Sequence, residues 1–75
     1  MDSSSPQDRY LDLLMEKVRA DRYPSGELMD RIEVGVQSRD QAAEYLEMLY
    51  EKVGDSRYPS KQLLDRIERV TSRIG

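Results

Sequence analysis

The side chains in this sequence best suited to general acid–base work or metal binding are carboxylates. There are 15 Asp and Glu against 12 Lys and Arg, with no histidine and no cysteine. The carboxylates lie at surface spacing, and most have a basic neighbour. A helical di-iron site needs Glu-x-x-His, which a chain without histidine cannot supply. The EF-hand spacing of acids around a central glycine is missing, as is a glycine-rich phosphate loop. The serines cluster at the N-terminus and at turn positions, with no base to activate them. Solvated helix surface accounts for the carboxylates. The sequence therefore points to a non-enzymatic protein with no catalytic residue, no cofactor and no metal.

Recognition is the other chemistry available. Arg22-Tyr23-Pro24-Ser25 recurs as Arg57-Tyr58-Pro59-Ser60. Proline and serine make a turn and start a helix, but the turn does not need the arginine. Tyrosine and arginine are the side chains most enriched at interface hot spots. Arg22, Tyr23, Arg57 and Tyr58 are therefore candidate contacts for a macromolecular partner. The competing structural role is a helix-breaking turn whose tyrosine closes the end of the fold.

These segments belong to a larger repeat. Residues 10–36 align with 45–71 at a 35-residue offset, without a gap, and 15 of the 27 positions are identical. The identities include Glu16-Lys17-Val18 with Glu51-Lys52-Val53, and Asp30-Arg31-Ile32-Glu33 with Asp65-Arg66-Ile67-Glu68. Self-similarity at this level marks a duplicated structural unit.

Each unit reads as helix, tight loop, helix. Leu11, Leu14, Met15 and Val18 recur at helical spacing, and Leu46, Leu49, Tyr50 and Val53 repeat them. Leu28, Met29, Ile32 and Val36 line one side of the second helix. Leu63, Leu64, Ile67 and Val70 line the second helix of the second unit in the same way, and Ile74 extends that stripe. The fold class expected is all-α: four short helices from two tandem helix–loop–helix repeats, arranged as an up-down bundle. The expected core is Leu11, Leu14, Val18, Leu28, Ile32, Leu46, Leu49, Val53, Leu63 and Ile67. Residues 1–5 are expected to be a disordered N-terminus. Residues 6–75 form a single helical domain, with repeat one over 6–38 and repeat two over 40–74.

Start and stop signals agree with this division. Ser5 precedes Pro6, a capping residue before proline at the first helical position. Ser25 and Ser60 cap the second helix of each unit. Tyr23 and Tyr58 precede prolines and are pushed out of the helical conformation, which predicts breaks at Asp21 to Pro24 and Ser56 to Pro59. The offset sets Asp40 opposite Ser5 and makes it the expected cap of the third helix; Ser38, with Gln41 three residues on, is the alternative. A short loop is expected from Val36 to Asp40. The alternative there is one unbroken helix from Glu27 to Val53, opposed by Gly35.

The first helix carries a second apolar side. At about 100° per residue, Leu13 lies roughly 150° from the Leu11 stripe. Met48 occupies the same place in the second unit, and Tyr10 and Tyr45 border it. A helix that is apolar on two sides is buried on two sides. Tyr10, Leu13, Tyr45 and Met48 are accordingly the expected self-association surface, forming a homodimer.

Composition sets the outer limits. Charged residues make up 36% of the chain and the net charge is −3, which fits a wet helical surface and argues against nucleic acid as a partner. No apolar run approaches the roughly 18 residues of a membrane span. Met1 to Pro6 has neither the basic stretch nor the apolar core of a signal peptide. The expected setting is cytoplasmic. The expected function is a protein–protein interaction or assembly module that self-associates. The alternative is a small regulator binding another macromolecule through the paired Arg-Tyr-Pro-Ser loops.

Overall fold

The computed structural model describes residues 5–74, and every regular element among them is a helix. The helices are α1 (Pro6–Ala20), α2 (Gly26–Gly35), α3 (Arg39–Asp55) and α4 (Lys61–Ile74). Of the N-terminus expected to be disordered, residues 1–4 lie outside the described part. Ser5 is ordered as the cap of α1, its hydroxyl accepting a hydrogen bond from the Asp8 N–H at 3.1 Å.

Contacts divide the chain into two compact units, one up to Val36 and one from Gln37 onward. The division falls inside the loop joining the two sequence repeats. In the first unit α1 packs on α2. The end of α2 lies against the start of α1: a Cβ added at Gly35, the last residue of α2, would stand 3.4 Å from Leu11 Cδ1. In the second unit α3 packs on α4.

The breaks occur where the X-Pro signals predict them. Helix α1 ends at Ala20 with Asp21 as its C-cap, and α3 ends at Asp55 with Ser56 as its C-cap. Ser25 Oγ accepts from the Leu28 N–H and Ser60 Oγ from the Leu63 N–H, both at 3.1 Å. The junction is a loop, so the unbroken helix from Glu27 to Val53 does not form.

One cap differs from expectation. Helix α3 is capped by Ser38, which accepts from the Gln41 N–H at 3.1 Å, and not by Asp40. Gln41 Oε1 in turn accepts from the Gln37 N–H at 2.8 Å. The reason lies in the one proline the repeat does not keep. Pro6 holds the start of α1 at Ser5, whereas Gln41 stands at the equivalent position and lets α3 begin earlier. Asp40 then sits in the first turn, where its charge complements the helix dipole. Ser38→Ala should cost about 1 kcal/mol in a thermal melt, with little dependence on salt. Asp40→Asn should cost about 0.3–1 kcal/mol at low ionic strength and less as salt is added. A larger, salt-independent loss at Asp40 would restore it as the cap.

The two units share a sequence pattern but bury different arcs. Helix α1 buries Leu11, Leu14, Met15 and Val18, as the stripe predicts. Helix α3 buries Leu46 and Leu49 together with Ala42, Tyr45 and Met48, while Tyr50, the counterpart of Met15, is exposed. Helix α2 buries Met29, Ile32 and Glu33, whereas α4 buries Arg66 and Val70. The equivalents of each set are not buried in the other helix. Of the expected core, Leu28, Val53, Leu63 and Ile67 are only half-buried. Among the described residues, Glu33 and Arg66 are the buried charged ones, and neither is without a partner.

Candidate partner-binding site

The first loop is built by bonds that leave its two candidate contacts unused. The Asp21 N–H donates to the Lys17 and Val18 carbonyls, ending α1. Asp21 Oδ1 then accepts from the Tyr23 N–H at 3.0 Å, a turn in which the side chain stands in for backbone. Pro24 keeps Tyr23 extended, and Ser25 opens α2. Nothing in this sequence of bonds uses the Arg22 guanidinium or the Tyr23 ring. Arg22 is exposed, and Tyr23 is 81% exposed. The Arg22 guanidinium carbon lies 5.8 Å from the Tyr23 ring centroid. That is near the outer limit of a cation–π contact. At an exposed site it is worth about 0.5–1 kcal/mol, enough to bias two mobile side chains toward one shared orientation.

The second loop shares the helix-ending bond and the serine cap. The Ser56 N–H donates to the Val53 carbonyl at 3.1 Å, and Ser60 caps α4. Arg57 is exposed and Tyr58 is 84% exposed. Neither tyrosine closes the end of its helical pair. Both point a large aromatic surface at water, an arrangement that earns little for folding and suits contact with another molecule. All four loop residues expected to bind a partner are thus displayed, two on each unit.

The expected self-association surface fares differently in the two copies. Tyr10 is 50% and Leu13 49% exposed, whereas Tyr45 is 0% and Met48 1% exposed. The four residues do not form a repeated exposed face. In α3 the side expected to meet a second copy is buried. Sequence reasoning also missed Val34, exposed on α2 where α4 carries Arg69. Val34 lies opposite the Met29 and Ile32 stripe on the helical wheel, so the wheel test that singled out Leu13 applies to it too.

Charge pairing is local. Arg31 Nη2 donates to Glu27 Oε2 at 3.0 Å, one turn away on α2. The Glu27 carboxylate, and after it the Tyr10 hydroxyl, hold the Arg31 guanidinium above its ordinary pKa. Lys61 Nζ donates to Asp65 Oδ2 at 2.9 Å, and that carboxylate raises the Lys61 ammonium in the same way. Both pairs are exposed, so solvent screens them and they are no argument for stability. Arg31, in the first copy of the repeated Asp-Arg-Ile-Glu motif, finds its carboxylate within its own helix, because Glu27 is four residues before it.

Among the described residues, no three or more carboxylates group where they could hold a metal ion. Among the same residues, no helix is long and apolar enough to cross a membrane. No family model matches this chain, and neither a curated protein nor a solved structure matches it.

Proposed function

We propose that the chain is a non-enzymatic protein-interaction module that engages its partner through the Arg-Tyr pairs of its two loops. One observation carries the proposal: Tyr23 and Tyr58, at the same position of a duplicated loop, are each more than four-fifths exposed. The turn is completed by Asp21, the prolines and the serine caps, so the exposed rings have no folding duty to explain them. Tyrosine supplies a rigid apolar face with a hydroxyl at its tip, and arginine supplies planar donors beside it. In this proposal the two helix–loop–helix units are tandem repeats of one recognition element. A partner with two matching sites would then gain from effective concentration without any new type of contact.

Affinity capture from native cell extract tests this, with wild type set against Tyr23→Ala, Tyr58→Ala and the double variant. Circular dichroism and thermal melting should be unchanged in all three. Each single variant should lose about tenfold or more in capture affinity, and the double variant should lose detectable capture, as expected of hot-spot tyrosines. A double variant that retains the wild-type partners at wild-type strength overturns the proposal.

A further inference from the structure

Charge is divided unevenly along the chain, and the division follows the loops. Residues 17–27, around the first loop, carry three basic side chains against two acidic, and the equivalent residues 52–62 carry three against one. The rest of the chain has six basic residues against twelve acidic. Widening each stretch by four residues, to take in the Glu27–Arg31 and Lys61–Asp65 pairs, adds one acid and one base to each and leaves the balance where it was. Folding explains only part of this excess. Lys17 and Arg19 stand in the last turn of α1 and Lys52 in the last turn of α3, where a cation complements the helix dipole. Lys61 is the first residue of α4, a helix with no acid in its first turn, and the dipole disfavours a cation there. Arg22 and Arg57 lie outside any helix and are exposed, and neither is held in an ion pair among the described residues. The acids of the first stretch have other tasks: Asp21 accepts the Tyr23 N–H, and Glu27 pairs with Arg31.

Resting on the proposal that these loops bind a partner, we infer that the partner presents an acidic peptide segment, with aspartate or glutamate beside an apolar residue. The carboxylate takes paired donors from the Arg22 or Arg57 guanidinium. Its apolar neighbour lies on the exposed ring of Tyr23 or Tyr58. The acidic remainder of the chain repels such a segment, which confines it to the loops. Nucleic acid suits the loops less well. A duplex carries one charge per about 1.7 Å of its axis, so it extends well past an excess of one or two positive charges and into acidic surface.

Selection from a library of random displayed peptides, with the full chain as bait, tests the inference. Enriched sequences should be net acidic, with an apolar residue next to the acid. Fluorescence anisotropy of an enriched peptide should show binding that weakens as salt is added. Arg22→Gln with Arg57→Gln should weaken that binding at least about tenfold, while circular dichroism stays unchanged. Arg22→Glu with Arg57→Glu should switch the selection to basic peptides, a reversal that a merely structural role for these arginines would not produce. Enrichment of neutral or basic peptides by wild type, or no enrichment at all, overturns the inference. So does peptide binding that ignores the arginine variants, or tighter binding of a mixed-sequence DNA duplex than of the enriched peptides. Extract capture that is lost with Tyr23→Ala and Tyr58→Ala, alongside a library without acidic preference, separates the two readings: the loop proposal then stands and the acidic partner falls.

Discussion

Met48→Asp should leave the chain unfolded at room temperature, while Leu13→Asp, at the equivalent position of the first repeat, should change the stability of dilute protein by no more than about 1 kcal/mol. Met48 is buried among the side chains that α3 takes out of water, with Tyr45 and Leu49 beside it on the same helix. A carboxylate there either stays charged without a partner or is protonated at a cost of several kcal/mol. A domain of this size holds only about 5 kcal/mol of stability or somewhat more, so the loss is comparable to the whole. Leu13 keeps half its surface in water, and its replacement can turn the charge outward. Circular dichroism of the two variants side by side measures the contrast. Equal losses at the two positions would mean that α1 and α3 are buried alike.

Leu14→Ala and Leu49→Ala, by contrast, should each cost about 2–5 kcal/mol. These are also equivalent positions, and both are buried. Removing a leucine side chain from such a site loses the transfer energy of its methyl groups and leaves a cavity that its neighbours fill incompletely. Thermal or urea unfolding should show both variants strongly destabilised, with Leu49→Ala at least as severe because that side chain is wholly out of water. Unchanged unfolding of either variant would remove its helix's apolar stripe from the core. The two pairs of substitutions thus separate what the repeats share from what they do not.

That separation marks how far the sequence could be read. Helix ends were legible because they depend on a few adjacent residues. Pro24 and Pro59 restrict the tyrosines before them, and Ser5, Ser25 and Ser60 each reach an N–H three residues on. Even the misread start of α3 was decided locally, by the missing counterpart of Pro6. The exposure of Tyr23 and Tyr58 was not legible in this way, since the same residues allow a ring that closes the end of the fold and a ring that faces water. Burial of whole helix faces was another matter. Leu13 and Met48 look alike on a helical wheel, as do Met29 and Leu64, or Arg31 and Arg66, yet one of each pair is buried and the other is not. Periodicity identifies which residues share a face. It cannot say which of several apolar faces is covered, because that depends on packing between segments far apart in sequence. Two stretches identical at 15 of 27 positions make the limit visible, since the spacing of apolar residues is shared and the outcomes differ.

The pairing of α1 with α2 and of α3 with α4, each across a loop of five residues, also bears on the order of events after synthesis. Closing so short a loop carries a small entropic penalty. Low sequence separation between contacting residues is associated with folding in microseconds to milliseconds. The amino-terminal hairpin has all of its own residues by Val36. A ribosome adding about 5–20 residues each second therefore gives it time to collapse before the other hairpin has emerged.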